Sequence, residues 1–256
     1  RRAKVLYAIG RAMQRHQRLF AVLESIDNGK PIRESRDIDV PLAIRHFIHH
    51  AGWAQALDRD FPEHKGVGVV GQIIPWNFPL LMLAWKVAPA LALGNTVVLK
   101  PAEFTSLTAL LFAELANAAG LPAGGLNVVP GEGETGAMIV EHDGIDKIAF
   151  TGSTEVGRII REKTAGSGKS LTLELGGKSP FIVFDDADID AAVQGAIAAK
   201  YRNMGQTCVC ANRLYAQDGV HDEFVAKFAG EVAKMKVGNG VEVGVVQGPL
   251  INARAV

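Results

Sequence analysis

Short apolar runs alternate with helical segments from Gly66 to Met235, and this alternation limits the fold more than any other feature of the sequence. Continuously apolar strands are covered on both faces, as in parallel sheets that carry helices on either side. We therefore predict an α/β fold built on a parallel sheet. The predicted strands span residues 67–75, 96–100, 126–130, 147–151, 170–175, 180–184 and 212–217, and the predicted helices span 79–93, 106–119, 133–141, 153–163, 188–201 and 221–235.

Two further helices are predicted before the first strand. Apolar residues at helical spacing in 1–28 predict one amphipathic helix that ends at Asn28-Gly29. Its basic face is typical of a solvated surface, and a membrane or nucleic-acid contact is the less favoured interpretation. A second helix is predicted over 41–57. Farther along, the pair Gly176-Gly177 predicts a boundary between a domain 1–175 and a domain 176–256.

Charge and cysteine content exclude several classes of protein. The 27 basic and 27 acidic residues cancel, which excludes a strongly basic nucleic-acid or anionic-membrane binder. Cys208 and Cys210 are too few for a disulfide framework or a cysteine zinc site, so no metal is expected. The absence of a disulfide framework favours a cytoplasmic protein, with an organellar matrix as the alternative. Prolines and Lys86 interrupt the apolar run 78–94, which argues against a membrane-spanning helix, and no signal peptide is visible. Because the chain opens on Arg1, we expect its natural start to be missing.

Three segments carry side chains suited to covalent chemistry, and each has a plainer interpretation. Cys208, in GQTCVCA (205–211), is either an accessible nucleophile or a buried structural cysteine. Asn77, in PWNFP, is either a fixed amide donor for an oxyanion or a turn residue that caps the next helix. Glu174, in an apolar strand, is either a buried general base whose pKa burial would raise, or a strand-edge residue facing solvent.

Two other segments are suited to binding a phosphorylated ligand. Gly152 and Ser153 join a strand to a helix start, which is a favourable place for a phosphate. Lys100 and Glu103 follow another strand, and both could bond ribose hydroxyls or lie on the surface. Since ligands of open parallel sheets bind beyond the carboxyl ends of the strands, we expect these side chains at one edge.

Five segments in this order resemble the aldehyde dehydrogenase superfamily, in its non-acylating branch: PWNFP (75–79), KPAE (100–103), FTGSTEVG (150–157), LELGGKSP (173–180) and GQTC (205–208). The resemblance implies a central fragment, truncated at both ends. It implies a Rossmann-like NAD-binding domain over 1–175, lacking its N-terminal part, and the beginning of an α/β catalytic domain over 176–256. The stretch from Arg202 onward is most similar to succinate-semialdehyde dehydrogenases.

The resemblance also implies catalytic roles. Cys208 would attack an aldehyde, and Asn77, with the backbone N–H of Cys208, would stabilise the oxyanion. Hydride transfer to nicotinamide would leave a thioester, and Glu174 would activate the water that hydrolyses it. Lys86 matches a lysine on a proton route. Cofactor contacts are implied for Ile74, Pro75, Trp76, Lys100, Glu103, Gly133, Phe150, Gly152, Ser153, Val156, Leu175 and Gly176.

The implied cofactor is NAD, because a carboxylate at Glu103 would accept bonds from both ribose hydroxyls and repel a 2′-phosphate. Nearby Lys100 leaves NADP open. The expected partner is a small aldehyde, with neither nucleic acid nor membrane, and the parent protein is expected to be a homodimer or homotetramer. The fragment itself is expected to be weakly active or inactive, because residues of the family beyond its C-terminal end are absent.

Four alternatives stay open at this point. The protein could be a succinate-semialdehyde-type enzyme that uses NADP. It could be an acylating relative that passes its thioester to coenzyme A, although such enzymes usually lack the base matched by Glu174. It could be a catalytically silent nucleotide-binding or structural relative. A cysteine hydrolase is the least favoured, since no histidine lies near Cys208 in the sequence.

Overall fold

The computed structural model describes residues 1–255 and divides into two compact units. The first unit contains residues 1–28 and 35–175. The second contains the residues from Gly176 onward together with the short segment 29–34, which no sequence pattern assigned to it. The assignment of these parts to cofactor binding and catalysis stays a prediction.

Over residues 1–28 and 35–175, the first unit contains seven α-helices and five strands. Its helices are α1 (Arg2–Arg15), α2 (Gln17–Asn28), α4 (Val40–Asp60), α5 (Pro79–Ala92), α6 (Leu107–Ala118), α7 (Gly133–Glu141) and α8 (Thr154–Lys163). The short helix α3 (Ile32–Glu34) belongs to the second unit. A π-helical turn, Ser35–Asp39, leads into α4. The strands are β1 (Val69–Ile73), β2 (Thr96–Lys100), β3 (Leu126–Val128), β4 (Lys147–Thr151) and β5 (Ser170–Glu174).

The five strands form one parallel sheet in the order β3-β2-β1-β4-β5. The predicted α/β fold with a parallel sheet is therefore confirmed. The strands predicted over 96–100 and 147–151 have the bounds expected from the sequence, and the other predicted strands end within a few residues of the observed ones. The strand order reverses between β1 and β4, and in open sheets such a reversal is where ligands bind.

The predicted single helix over 1–28 is wrong, because α1 and α2 are separate helices on either side of His16. The N–H of His16 bonds to the carbonyls of Ala12 and Met13, which ends α1 in a tightened turn. Residues 14–18 around the break are polar and mostly exposed. Met13 before the break and Phe20 after it are fully buried.

Helices cover the sheet with apolar side chains. One cluster joins α7 and α8 to β4 and consists of Ile139, Val140, Ile145, Ile148, Phe150 and Ile160. Elsewhere in the unit α1 packs against α4, and α4 against α5. The rings of Phe47 in α4 and Phe112 in α6 lie 5.0 Å apart, and both side chains are fully buried. The basic residues of α1 therefore lie on a helix whose apolar face is packed inside the protein.

The second unit is built on a parallel strand pair, β6 (Ser179–Val183) and β7 (Ala211–Ala216). Helices α9 (Ile189–Tyr201) and α10 (Asp218–Ala233) pack on it around Val183, Val193, Ala196 and Phe224. A 3₁₀ turn, Arg202–Gly205, follows α9 and leads to Cys208. Among residues 1–255, no helix is both long and apolar enough to span a membrane.

Candidate active site

The turn after β1 is held in place by side chains from two other parts of the first unit. The carbonyl oxygen of Trp76 accepts hydrogen bonds from Asn28 Nδ2 at 2.7 Å and from Thr105 Oγ1 at 3.2 Å. Both donors are buried. Asn77 follows immediately and is half-buried, and the N-cap position of α5 belongs to Phe78. Asn77 is therefore on a fixed turn at the carboxyl edge and does not occupy the capping position.

Asn28 and Thr105 were not singled out in the sequence as site residues. Asn28 has the pattern of an ordinary helix end, and Thr105 is one of several polar residues after β2. Their shared acceptor is 48 residues from Asn28 and 29 from Thr105 along the chain. Local sequence carries no signal for such a contact.

A buried lysine and an exposed carboxylate follow β2. Lys100 is 4% exposed, and its Nζ donates to the carbonyl of Pro101 at 2.9 Å. The same Nζ lies 3.4 Å from Glu103 Oε2, while about half of the Glu103 side chain is open, at 46%. The ammonium group of Lys100 therefore pairs with one oxygen of Glu103. The exposed carboxylate is accessible for accepting hydrogen bonds from a diol.

The segment between β4 and α8 provides a helix start for an anion. Ser153 is the N-cap of α8, and its Oγ accepts the N–H of Val156 at 3.2 Å. The hydroxyl of Ser153 therefore caps the helix. The other N–H groups of the first turn are orphan donors, and the helix dipole favours negative charge there. Val156 is partly exposed, so both the helix start and this side chain are accessible.

Phe150 explains why residue 152 is a glycine. A Cβ at Gly152 would overlap the Phe150 ring, whose Cε2 would be 3.0 Å away, and Phe150 is buried at 4% exposure. The ring and the glycine backbone are thus packed directly on one another. This contact fixes the backbone between β4 and α8.

We expect Gly152→Ala to lower the free energy of unfolding by about 1–3 kcal/mol, because a buried ring must move to admit the methyl group. Chemical denaturation of the variant and the parent chain measures the difference. Gly230→Ala is the matched control, since apart from its chain neighbours and the adjacent backbone of α10 nothing in residues 1–255 lies within 4 Å of its new Cβ. That substitution should raise stability by about 0.5–1 kcal/mol through helix propensity. Equal effects of the two substitutions would contradict the packing explanation.

Glu174 is the last residue of β5, an edge strand, and it is exposed. Of the two interpretations considered for it, the structure has the strand-edge position open to solvent, and the side chain is not buried. Its backbone carbonyl accepts the N–H of Gly152 at 3.0 Å, which ties it to the β4–α8 segment. The carboxylate is therefore accessible to water at the same edge as Gly152.

Lys86, in α5, is influenced electrostatically by Glu174. Burial lowers the pKa of Lys86 to about 8, the negative charge of Glu174 opposes that shift, and the positive charge of Lys147 adds to it. The carbonyl of Lys86 accepts Gln72 Nε2 at 2.9 Å. A lysine with a pKa near neutrality can exchange a proton under ordinary conditions.

The lowered pKa predicts a pH-dependent stability. With a folded pKa of about 8 and an ordinary value of 10.5, the unfolded chain binds more protons between these values. The free energy of unfolding should therefore rise with pH across this window, and Lys86→Met should remove that part of the rise. Denaturant titrations between the two pKa values test it, with exposed Lys4→Met as the control. If the free energies of unfolding of the parent chain and of Lys86→Met change in parallel with pH, the lowered pKa of Lys86 is contradicted.

Cys208 belongs to the second unit and is exposed, whereas Cys210 is buried at 3% exposure. Cys210 Sγ lies 3.1 Å from the carbonyl of Gly205 and 3.8 Å from Lys200 Nζ. The structural interpretation considered for Cys208 therefore fits Cys210. Cys208 has the accessibility that a nucleophile needs.

The remaining expected cofactor residues lie on or after strand ends. Ile74, buried at 2%, donates its N–H to the carbonyl of Lys100 at 3.1 Å, and Leu175 follows β5 with its side chain against Gly157. Gly133 begins α7, and Pro75 lies in the turn before Trp76. Gly176 begins the longer of the two segments of the second unit. No cluster of three or more metal-binding side chains occurs among residues 1–255.

Comparison with known proteins identifies the family. Residues 1–256 match the model of the aldehyde dehydrogenase family. Mitochondrial benzaldehyde dehydrogenase of Antirrhinum majus is 46% identical over 98% of this chain and 49% of its own length. An NAD⁺ complex structure of aldehyde dehydrogenase from Bacillus cereus has a TM-score of 0.94 and 40% identity, over 99% of this chain and 54% of that one. The structure of an E. coli NADP-dependent enzyme has a TM-score of 0.94 and 45% identity, over 100% and 55%.

The chain spans about half the length of the curated relatives it matches. The match nevertheless covers every segment on which the resemblance depends, from the turn after β1 to Cys208. The identity to the relatives is far above the level at which only a fold is shared. The chain belongs to the aldehyde dehydrogenase family.

Proposed function

We propose that the protein oxidises an aldehyde to a carboxylic acid with NAD, using Cys208 as the nucleophile. The observation that carries this proposal is the exposed Cys208 thiol on an ordered turn, beside a buried Cys210, in a member of this family. The first unit contributes Asn77, on the turn whose Trp76 carbonyl is hydrogen-bonded by Asn28, and the solvent-accessible Glu174. Both lie at the carboxyl edge of its sheet.

The proposed reaction begins when the Cys208 thiolate attacks the aldehyde carbon and a C–S bond forms. The carbonyl oxygen becomes an oxyanion, which the Asn77 amide and the Cys208 backbone N–H stabilise as donors. As the C=O bond re-forms, the former aldehyde hydrogen departs as hydride, which bound NAD would accept, and a thioester is left on Cys208. Glu174 then takes a proton from water, the water attacks the thioester, and breaking the C–S bond restores the thiolate and releases the acid.

The residues at the carboxyl edge fit a dinucleotide. The start of α8 offers N–H donors to a pyrophosphate, and Glu103 offers an open carboxylate to a ribose diol. Apart from the neighbouring residues and the adjacent backbone of α7, nothing in residues 1–255 lies within 4 Å of a Cβ built on Gly133, so a ligand could approach that backbone closely. The chemistry that bound NAD would supply is acceptance of the hydride. Lys100, already paired with Glu103, leaves some use of NADP open.

Glu103→Gln should reduce the preference for NAD over NADP by about tenfold or more, because a like charge facing a phosphate costs several kcal/mol. The ratio of the two kcat/KM values measures the preference. Glu114→Gln, an exposed carboxylate in α6, is the control that should leave the ratio unchanged. An unaltered ratio in Glu103→Gln would mean that a group other than Glu103 discriminates between the ribose of NAD and the 2′-phosphorylated ribose of NADP.

The test of the proposed function is NADH formation by the protein expressed from its complete gene and by the 256-residue chain. The substrate panel contains aliphatic and aromatic aldehydes and succinate semialdehyde, with NAD and NADP compared. Turnover with an aldehyde supports the proposal, and a best activity with succinate semialdehyde and NADP would favour the subfamily suggested by the stretch from Arg202. We expect the 256-residue chain to be weakly active or inactive.

Two other outcomes would redirect the proposal. Turnover that requires coenzyme A and yields an acyl thioester would identify an acylating enzyme. Binding of NAD without turnover of any aldehyde by the complete protein would favour a silent nucleotide-binding relative. We also propose a cytoplasmic homodimer or homotetramer, although relatives named as mitochondrial keep an organellar matrix as the alternative. Light scattering and cell fractionation test these two points.

A further inference from the structure

The turn that precedes Cys208 is left-handed at three consecutive residues. Asn203 has a φ of 50°, Met204 of 57° and Gly205 of 74°. This region is unfavourable for residues with a side chain, and Met204 lacks the short polar side chain that makes it tolerable for Asn203. Among residues 1–255, Asn203 and Met204 are the non-glycine residues with positive φ. A backbone of this kind persists only where its surroundings hold it.

A buried carboxylate holds this turn. The backbone N–H of Asn203 donates to both oxygens of Glu34, at 3.1 Å and 2.9 Å. Glu34 is 5% exposed and Asn203 is fully buried. Hydrogen bonds to an ionised acceptor are stronger than neutral ones, and burial strengthens them further. Glu34 therefore contacts the strained backbone at the first left-handed residue, from a position 169 residues away in the sequence.

The segment that carries Glu34 is itself anchored in the second unit. The N–H of Ile32 donates to the carbonyl of Gly240 at 2.8 Å, and Arg33 reaches the carbonyl of Val246 at 3.5 Å. Side chains at Gly240 and Gly248 would overlap the backbone carbonyls of Lys30 and Gly29. The backbone of 29–34 thus lies directly against these loops, and Glu34 is presented to Asn203 from a fixed base.

Hydrogen bonds link the turn to Cys208. The N–H of Gln206 donates to the carbonyl of Asn203 at 3.0 Å, and Thr207 Oγ1 donates to the carbonyl of Arg202 at 3.1 Å. Beyond Cys208, the N–H of Cys210 donates to the carbonyl of Thr207 at 3.2 Å. Cys208 is thus bracketed by residues bonded back to the turn. A change of backbone conformation at Asn203 would move the thiol.

We propose that Glu34 is a positioning residue, which sets the reactivity of the Cys208 thiol by holding the left-handed turn Asn203–Gly205. This inference rests on the proposed function, in which Cys208 is the nucleophile. Glu34 acts through the backbone of Asn203.

The test is the rate of alkylation of Cys208 by iodoacetamide in the 256-residue chain, followed by mass spectrometry of the Cys208 peptide and expressed per folded molecule. Glu34→Gln keeps the shape and removes the charge, so we expect alkylation about tenfold slower. Glu242→Gln, an exposed carboxylate of the same unit, should leave the rate unchanged. Met204→Gly relieves the left-handed strain, so adding it to Glu34→Gln should restore most of the rate.

Each result of this series either supports or contradicts the proposed role of Glu34. A wild-type rate in Glu34→Gln, whatever its melting temperature, would overturn it, because a residue that only stabilises the fold would lower Tm alone. Failure of Met204→Gly to restore the rate would also count against it. If Glu34→Gln does not fold, Gly205→Ala strains the same turn, since Gly205 has positive φ and its new Cβ would lie 3.2 Å from the carbonyl of Lys200. An unchanged alkylation rate there would equally refute the proposal.

Alkylation of Cys208 is measured without catalytic turnover. The proposed role of Glu34 and the proposed aldehyde oxidation can therefore fail independently. Aldehyde oxidation that survives Cys208→Ala would end the proposed function, and the alkylation series would still report on the turn. Slow alkylation in Glu34→Gln with full dehydrogenase activity in Cys208→Ala would mean that Glu34 positions a thiol that the reaction does not use.

Discussion

Cys208→Ala should lower kcat/KM for aldehyde oxidation by at least about 1,000-fold, because the variant lacks the thiol on which the proposed thioester forms. The thiol of Cys208 is exposed, and its replacement removes no buried contact, so stability should change little. Stopped-flow and steady-state assays of NADH formation by the complete protein measure the loss. Binding of NAD, followed by quenching of tryptophan fluorescence, should be retained.

Cys210→Ala is the matched control for this substitution. It removes a thiol two positions away that is buried and close to the carbonyl of Gly205. We expect some loss of stability and nearly full activity per folded molecule. If Cys210→Ala abolishes turnover and Cys208→Ala does not, the nucleophile has been assigned to the wrong cysteine.

Glu174→Gln should slow steady-state turnover by about 10²–10⁴-fold while leaving the first turnover fast. The glutamine cannot take a proton from water, so the thioester on Cys208 accumulates after the hydride has departed. A burst of NADH equal to the enzyme concentration should therefore precede a slow phase. Rapid-mixing absorbance measures the burst, and mass spectrometry of the quenched protein should find the acyl group on the Cys208 peptide.

Glu162→Gln, an exposed carboxylate in α8, is the control and should show neither the burst nor the slow phase. Loss of the burst together with the steady state in Glu174→Gln would argue that Glu174 acts before the hydride leaves. The same variant also tests the influence of Glu174 on Lys86. Removing the negative charge should lower the pKa of Lys86 below about 8, since Glu174 opposes the effect of burial.

The sequence by itself determined the order and nature of most elements and the sheet edge at which the first unit's candidate site residues lie. Apolar runs such as 96–100 and 147–151 alternate with amphipathic helices, and this alternation is a local property of the chain. Parallel strands share one carboxyl edge, so residues after separate strands, such as Asn77 and Glu103, were expected on the same side of the sheet. Five short segments in order were enough to indicate the family.

Tertiary structure alone decided the surroundings of those residues. Glu174 is exposed because β5 lies at the edge of the sheet, and strand order is not encoded in the strand itself. Cys208 and Cys210 are two residues apart, yet the turn buries one and exposes the other. Glu34 reaches Asn203 from 169 residues away. Such contacts depend on which distant segments pack together, whereas the periodicity of a short segment reflects only its own neighbours.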